Sequence, residues 1–279
     1  MQTIENINKT ILITGCSSGI GYDTAHYLHK NGYKVYASAR RQEDVERLRS
    51  EGLETFLLDV TSAKNIKEVL ESITKDGTEL YAVFNNAGFG QPGAVEDITT
   101  DVLKEQFETN FFGLHELTRQ SIKIMRKQGR GRIIQHSSVL GLISLRFRGA
   151  YNASKYAIEG LCDTLRQELK DTNIYVSTIN TGPVHSDFRK NATKKFYDNV
   201  ANVETVFTKE YEKELLGRDE KKGDDPFTKD SEVVIKNILH ALESKKPQPR
   251  YYNTLATHLL GGFKRILSTS LLDRILVRI

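Results

Sequence analysis

Tyr151 and Lys155 are one helical turn apart in the segment Tyr151-Asn152-Ala153-Ser154-Lys155, and Ser138 stands thirteen residues upstream. On a helix that spacing puts the phenol and the ammonium on one face, where the positive charge favours the tyrosinate and eases proton transfer. The chemistry so encoded is delivery of a proton to an oxygen such as that of a carbonyl, or its removal from an alcohol.

A second chemical motif lies near the N-terminus, Thr14-Gly15-Cys16-Ser17-Ser18-Gly19-Ile20-Gly21, between an apolar strand run and a helical run. It fits a nucleotide-binding turn: Gly15 for the tight turn, Gly19 for approach of the backbone to a diphosphate, Gly21 for close helix packing. A purely structural turn is the competing reading. The second strand ends Ala37-Ser38-Ala39-Arg40-Arg41, where selection of NAD would place an acid for the ribose 2'-hydroxyl. Ala39 holds that position and Arg40 follows, which favours the 2'-phosphate of NADP over NAD, the competing reading being a solvated strand-end charge. Asp59, followed by Val60, reads equally as an acceptor for an adenine amino group and as a turn or helix cap. Asn85-Asn86-Ala87-Gly88 closes the fourth strand at the edge where ligands sit in open α/β sheets, and its asparagines can also bond neighbouring strands. Asn110, amid helix-core residues, reads on the sequence alone as a satisfied structural amide.

The elements that must position these groups follow from pattern. Short apolar, β-branched runs at 10–14, 33–39, 54–58, 80–85, 131–137 and 173–180 alternate with helical stretches, the longest at about 99–127. That is an α/β fold, one Rossmann-type doubly wound parallel sheet flanked by helices, and 279 residues suit one such domain. From 188 to about 229 the pattern loosens and charge rises, which predicts a substrate lid with helical pieces and no strand.

Two cysteines, Cys16 and Cys162, are far apart among residues that do not ligate metals, so neither a disulfide framework nor a metal site is expected. These features predict a reducing, cytoplasmic compartment. A polar N-terminus and the lack of a run near 18 apolar residues argue against secretion and a spanning helix. A net charge of +4 is too small and dispersed for nucleic-acid binding. The exception is the tail, about 254–279, where Leu259, Phe263, Leu267, Leu271, Ile275 and Ile279 recur every fourth residue and Leu260, Leu272 and Leu276 widen the stripe. Lys264, Arg265, Arg274 and Arg278 face a single acid there, Asp273. An amphipathic helix is expected, either covering the pocket, meeting a second subunit or touching anionic lipid peripherally.

The glycine motif, the Asn-Asn-Ala-Gly run, Ser138 and Tyr151 with Lys155 together resemble the short-chain dehydrogenase/reductase family over about residues 10–188. Within it the chain is similar to bacterial NADP-dependent aldehyde reductases and to the 17-beta-hydroxysteroid and retinol dehydrogenase group. The resemblance implies an NADPH-linked enzyme in which Tyr151 is the proton donor and Ser138 holds the substrate oxygen. Lys155 would bind the nicotinamide ribose and assist Tyr151, and Asn110 would support a water linking Lys155 to solvent. Cofactor positions implied are Gly15, Ser17, Ser18, Gly19, Ile20, Gly21, Arg40, Asp59, Val60, Asn86, Ala87, Gly88, Tyr151, Lys155, Gly182, Pro183, Val184 and Ser186. Two departures stand out: Thr181-Gly182-Pro183 replaces an ordinary Pro-Gly start, and Ser186 stands where threonine is usual, keeping a hydroxyl for the carboxamide. Phe89, Leu140, Leu142, Phe147 and Phe188 are candidates for an apolar pocket that suits an aldehyde, or a steroid, retinoid or lipid-type ketone. Arg146 and Arg148 border that loop, as partners for an acidic substrate or as solvated charges. A homodimer or homotetramer is expected. The alternative from another class is a catalytically silent NADP-binding sensor or scaffold, which loss of Ser138, Tyr151 or Lys155 would have signalled.

Overall fold

Strand residues alternate between two apolar layers, which is why the sheet is buried on both faces. Ile11 and Ile13 of β1 (Thr10–Ile13) pack with Val35 and Ala37 of β2 (Lys34–Ala39) against α1 (Gly19–Lys30) and α2 (Gln42–Ser50). Leu12, between them, points to the opposite layer with Val83 of β4 (Ala82–Asn85), against α3 (Ala63–Thr74). The computed structural model describes residues 9–213 and 228–278. With β3 (Glu54–Leu57), β5 (Gly131–Ser138), β6 (Ile174–Thr181) and β7 (Arg250–Tyr252), the sheet runs in the order β3-β2-β1-β4-β5-β6-β7, every pairing parallel. The order reverses between β1 and β4, and the crevice beyond their carboxyl ends is where this architecture places ligands.

Six strand runs are read from the sequence, and β7 makes a seventh. Its three residues carry no apolar run; it is a strand because it pairs with Thr178–Asn180 of β6. The helix expected at 99–127 divides into α4 (Thr100–Phe107), a widened π-helical turn Glu108–Gly113, and α5 (Leu114–Gln128). Gly113 faces the carbonyl of Val60 so closely that a Cβ would lie 2.6 Å from that oxygen, and the turn brings Asn110 inward. The long helix α6 (Gly149–Glu168) follows β5 through a short 3₁₀ turn, Val139–Gly141.

In the expected lid, α7 (Phe188–Asn199) and α8 (Thr208–Tyr211) close a satellite core of Ala94, Phe147, Phe196, Val200 and Tyr211. The Tyr211 hydroxyl donates to Asp97 and accepts from the Ala94 amide at 2.7 Å, tying the segment to the loop after β4. An isolated parallel bridge joins Val184 to Lys229. The rest of that expected segment, 214–227, lies outside the described residues.

After α9 (Glu232–Glu243) and β7, the tail forms two helices, α10 (Leu255–Ile266) and α11 (Thr269–Leu276), in place of one continuous amphipathic helix. Leu260, Leu267, Leu272 and Leu276 pack on Val139, Leu140, Ile143 and Leu145, the segment that follows β5. Leu259, Phe263 and Leu271, half of the every-fourth-residue series read from the sequence, face outward; Ile279 lies outside the described residues. The helical period is right within each helix, but the break at Leu267-Ser268 rotates the second against the first. Leu272→Ala should therefore loosen α11 locally: amide exchange across Thr269–Leu276 should quicken by about tenfold or more while sheet amides keep their protection. Hydrogen exchange read by mass spectrometry checks this.

Candidate active site

The carboxyl edge of the sheet gathers the groups singled out above. Ser138 ends β5; its hydroxyl accepts from the Leu140 amide at 3.1 Å and donates to the Thr181 carbonyl at 3.3 Å. Tyr151 and Lys155 project from the first turns of α6, both buried. The Ser138 side chain lies beside the Tyr151 phenol, and the Lys155 ammonium stands 5.5 Å from the Tyr151 ring centroid. Lys155 Nζ donates to the main-chain carbonyl of His136 at 2.6 Å.

The expected downward pull of the lysine on the phenol is overridden. Burial pushes Tyr151 up to about 12, with the neighbouring Ser138 hydroxyl working against that rise. The ammonium lies over the ring and its hydrogen bond goes to His136, so Tyr151 keeps its proton. Burial pushes Lys155 down to about 8, and the charge of Glu159 works against that fall.

The glycine turn is joined to this site through a half-buried path. Asn86 Nδ2 donates to the carbonyls of Thr14 and Gly15 at 2.9 and 3.0 Å, which leaves its Oδ1 as the acceptor facing His136 Nδ1 at 2.9 Å. The imidazole must therefore carry its proton on Nδ1 and accept the Thr181 hydroxyl at Nε2, 3.0 Å away. Burial, and then the Lys155 charge, push His136 down to about 3, so it remains neutral. Thr14 Oγ1 accepts from the Asn86 and Ala87 amides, each at 3.0 Å. Gly15 has a φ of +70°, and a Cβ there would lie 2.8 Å from the Ala87 Cα; at Gly21 it would lie 2.4 Å from the Gly15 carbonyl.

These residues fit a dinucleotide. Helix α1 starts behind Ser18 with no side-chain cap on its amides and no acid in its first turn, so its positive end is left for a phosphate. Ser186 lies against Gly19, bringing the segment after β6 to the same turn. Arg40 is exposed, and no side-chain hydrogen bond or ion pair ties it to another described residue, whereas Arg41 is engaged by Glu43 and Asp44.

A family model described as short chain dehydrogenase matches residues 9–196. The chain is 38% identical over 271 residues to the uncharacterized oxidoreductase YbbO of Escherichia coli K12, covering 97% of this chain and 94% of that protein. It is 36% identical over 190 residues to human retinol dehydrogenase 8, covering 64% and 60%. A short-chain dehydrogenase structure from Streptomyces avermitilis superposes with a TM-score of 0.77 at 26% identity, covering 97% and 94%. The chain belongs to the short-chain dehydrogenase family. It is an oxidoreductase on the NAD(P)-binding fold of that family.

Within this short-chain dehydrogenase the remaining residues take specific places. Asn110 Oδ1 accepts from the Phe89 amide at 3.0 Å, and its Nδ2 donates to the Phe89 carbonyl at 2.9 Å and to Ser154 Oγ at 3.3 Å. The amide is thus structurally satisfied, and a water link to Lys155 would have to use other atoms of the residue. Asp59 Oδ1 accepts from the amide and hydroxyl of Thr61, so one carboxylate oxygen serves the turn. Ile20 and Val60 put their side chains in the core, and Gly182 lies under Thr254 of the tail. Phe188 stacks near Tyr151, ring centroids 5.3 Å apart, seated on Gly90, where a Cβ would come within 2.8 Å of the ring. Leu140 adjoins Ser138 under the tail, and the Phe89 ring faces the Lys195 ammonium at 5.0 Å. Phe147 belongs to the lid core instead of an open pocket, with Arg146 stacked on its ring and Arg148 bonded to its carbonyl.

Sequence reasoning missed His136 and the Glu159–Arg250 pair, and gave Thr14, the first residue of the glycine motif, no role of its own. Only Glu159 had a readable signal, its position four residues after Lys155. Tyr151→Phe removes the phenol hydroxyl with little change in packing; on the reading of Tyr151 as proton donor, carbonyl reduction should fall by about a hundredfold or more, the scale of a lost positioned acid. Dinucleotide binding and melting temperature should stay near wild type, and turnover within a few fold of wild type would contradict the role.

Proposed function

We propose that the chain is an NADP(H)-dependent oxidoreductase that reduces the carbonyl of an apolar aldehyde or ketone, or oxidises the matching alcohol, with Tyr151 as general acid and base. The observation that carries this is the convergence of Ser138, Tyr151 and Lys155 beside the glycine turn, with the Phe188 ring against Tyr151. When bound, the reduced nicotinamide would supply hydride to the carbonyl carbon. As negative charge grows on the carbonyl oxygen, the Ser138 hydroxyl and the Tyr151 phenol donate hydrogen bonds to it, and Tyr151 gives up its proton. The Lys155 ammonium, already beside the ring, offsets the charge left on the tyrosinate. Phe188, Phe89 and Leu140 would present the apolar wall. Retinol dehydrogenase 8 is named for an apolar alcohol, which supports this substrate class. Incubation of the purified chain with NADPH and a panel of aliphatic and aromatic aldehydes and ketones tests it. Consumption of NADPH matched by alcohol is expected with the apolar members, and none with any member would overturn the reading.

Arg40 would hold the 2'-phosphate, because Ala39 offers no acid to repel it and Arg41 is already neutralised by Glu43 and Asp44. Arg40→Asp should weaken NADPH and improve NADH relative to it, shifting the affinity ratio by about tenfold or more. Titration of both dinucleotides decides this; an unchanged ratio would assign the phosphate to another residue.

The tail supports peripheral contact with anionic membrane. Leu255, Leu259, Phe263 and Ile266 share one face of α10 and face outward, Ile266 being 81% exposed, and Lys264, Arg265, Arg274 and Arg278 are exposed nearby. No helix among the described residues is long and apolar enough to cross a membrane. The intact chain should sediment with vesicles containing anionic lipid, and a chain ending at Tyr252 should not. Equal behaviour of the two would remove the membrane role and leave α10 and α11 as the cover over residues 139–145.

A further inference from the structure

Glu159 is a buried carboxylate that the proton chemistry above does not use. It lies on α6 one turn past Lys155 and two past Tyr151, so all three share the face turned to the sheet edge, and it is only 6% exposed. Such a group survives in the interior only when its oxygens are paired. Oε1 accepts from Asn180 Nδ2 at 2.6 Å and Oε2 from Arg250 Nε at 2.8 Å. Arg250 comes from β7 and forks onward, its Nη2 donating to both oxygens of Asp163 at 2.7 Å; Asp163 also pairs with Arg166. Asn180 Nδ2 reaches the Ser138 carbonyl at 3.5 Å, so the amide held by Glu159 is also the neighbour of the catalytic serine. Gly141, in the turn after Ser138, lies directly on this helix face: a Cβ would stand 3.0 Å from the Lys155 carbonyl and 3.2 Å from Glu159 Cγ.

We propose that Glu159 is a positioning residue of this site, a carboxylate clamped by Asn180 and Arg250 that keeps Lys155 in its ammonium form. The proposal rests on the reading of Lys155 as the group that offsets the charge of Tyr151. Facing Lys155 are Tyr151 and Glu159 from its own helix and His136 from β5, which is neutral and lends only its carbonyl. Facing Glu159 are Arg250 from β7, and Cys162 and Arg166 on α6 with Asp163 beyond. Among these, Glu159 is the negative charge that opposes the loss of the Lys155 proton on burial. Removing that charge must lower the lysine pKa further, because the ammonium then keeps its desolvation penalty without its counter-charge. Removing Arg250 must act the other way, because Glu159 then presents an uncompensated charge. Opposite signs from two partners of one ion pair are what a merely structural clamp cannot produce.

The test uses the full-length chain labelled with ¹³C at lysine Cε, the Lys155 signal being assigned by its absence in Lys155→Arg. In Glu159→Gln the Lys155 midpoint should move down by about one pH unit, the lower end of what a close opposite charge supplies. In Arg250→Gln it should move up, and in Glu159→Asp it should return most of the way to wild type. With NADPH and an aldehyde that the wild type reduces, the alkaline limb of kcat/KM should follow the same order. Unmoved Lys155 midpoints, or shifts of one sign in both variants, would overturn the proposal even if the enzyme turns over normally. Shifts of opposite sign without turnover in the wild type would uphold the electrostatic role and fault the assigned reaction instead. Should Glu159→Gln fail to fold, Arg250→Gln and Glu159→Asp still decide the sign.

Discussion

An ammonium taken into a protein interior loses the hydration that makes it an ammonium, and the carboxyl edge of this sheet is organised around that loss. Lys155 is buried where β5 meets α6, and no single partner would hold its charge there. A main-chain carbonyl on β5, the face of the Tyr151 ring and a carboxylate one turn along the helix share the task. The outcome is a group pushed down to about 8, poised beside a phenol pushed up to about 12. Both groups thus titrate above neutral pH, so at pH 7 the proton stays on Tyr151 and the charge on Lys155, the arrangement a proton donor to a growing oxyanion requires.

The same edge is wired by hydrogen bonds that run in one direction. Asn237 donates to Asn253, Asn253 to Thr181, Thr181 to His136, His136 to Asn86, and Asn86 to the carbonyls of Thr14 and Gly15. Asn86 sets the direction, since both hydrogens of its amide are committed to carbonyls. This gives a physical account of the departure at Thr181. Proline could not supply the hydroxyl that His136 accepts, and a neutral His136 with its carbonyl turned to Lys155 joins the glycine turn to β5 and α6.

What was legible in the sequence was local. Apolar, β-branched runs marked the first six strands because a parallel strand buried on both faces is apolar over much of its length, and the Tyr151–Lys155 spacing marked a helix face. What escaped was set by distant contacts. Strand β7 reads as Arg-Tyr-Tyr and exists through its pairing with β6; the widened turn around Asn110 depends on Gly113 meeting Val60. Arg250 stands 91 residues from Glu159, beyond the reach of any spacing rule. In the tail, periodicity identified helix but could not say which side meets protein. Leu272 and Leu276 turned inward while Leu259 and Phe263 turned out, because helix α11 rests on the segment after Ser138.

Transfer of hydride to a carbonyl carbon at this edge is tested most directly by following the atom that moves. The wild-type chain would be mixed with NADPH fully deuterated at nicotinamide C4 and an unlabelled long-chain aldehyde, and the product analysed by mass spectrometry. The geometry at Ser138, Tyr151 and Lys155 predicts an alcohol carrying one deuterium at the former carbonyl carbon. Aldehyde recovered unchanged while NADPH binding is intact, or an alcohol without the label, would contradict it.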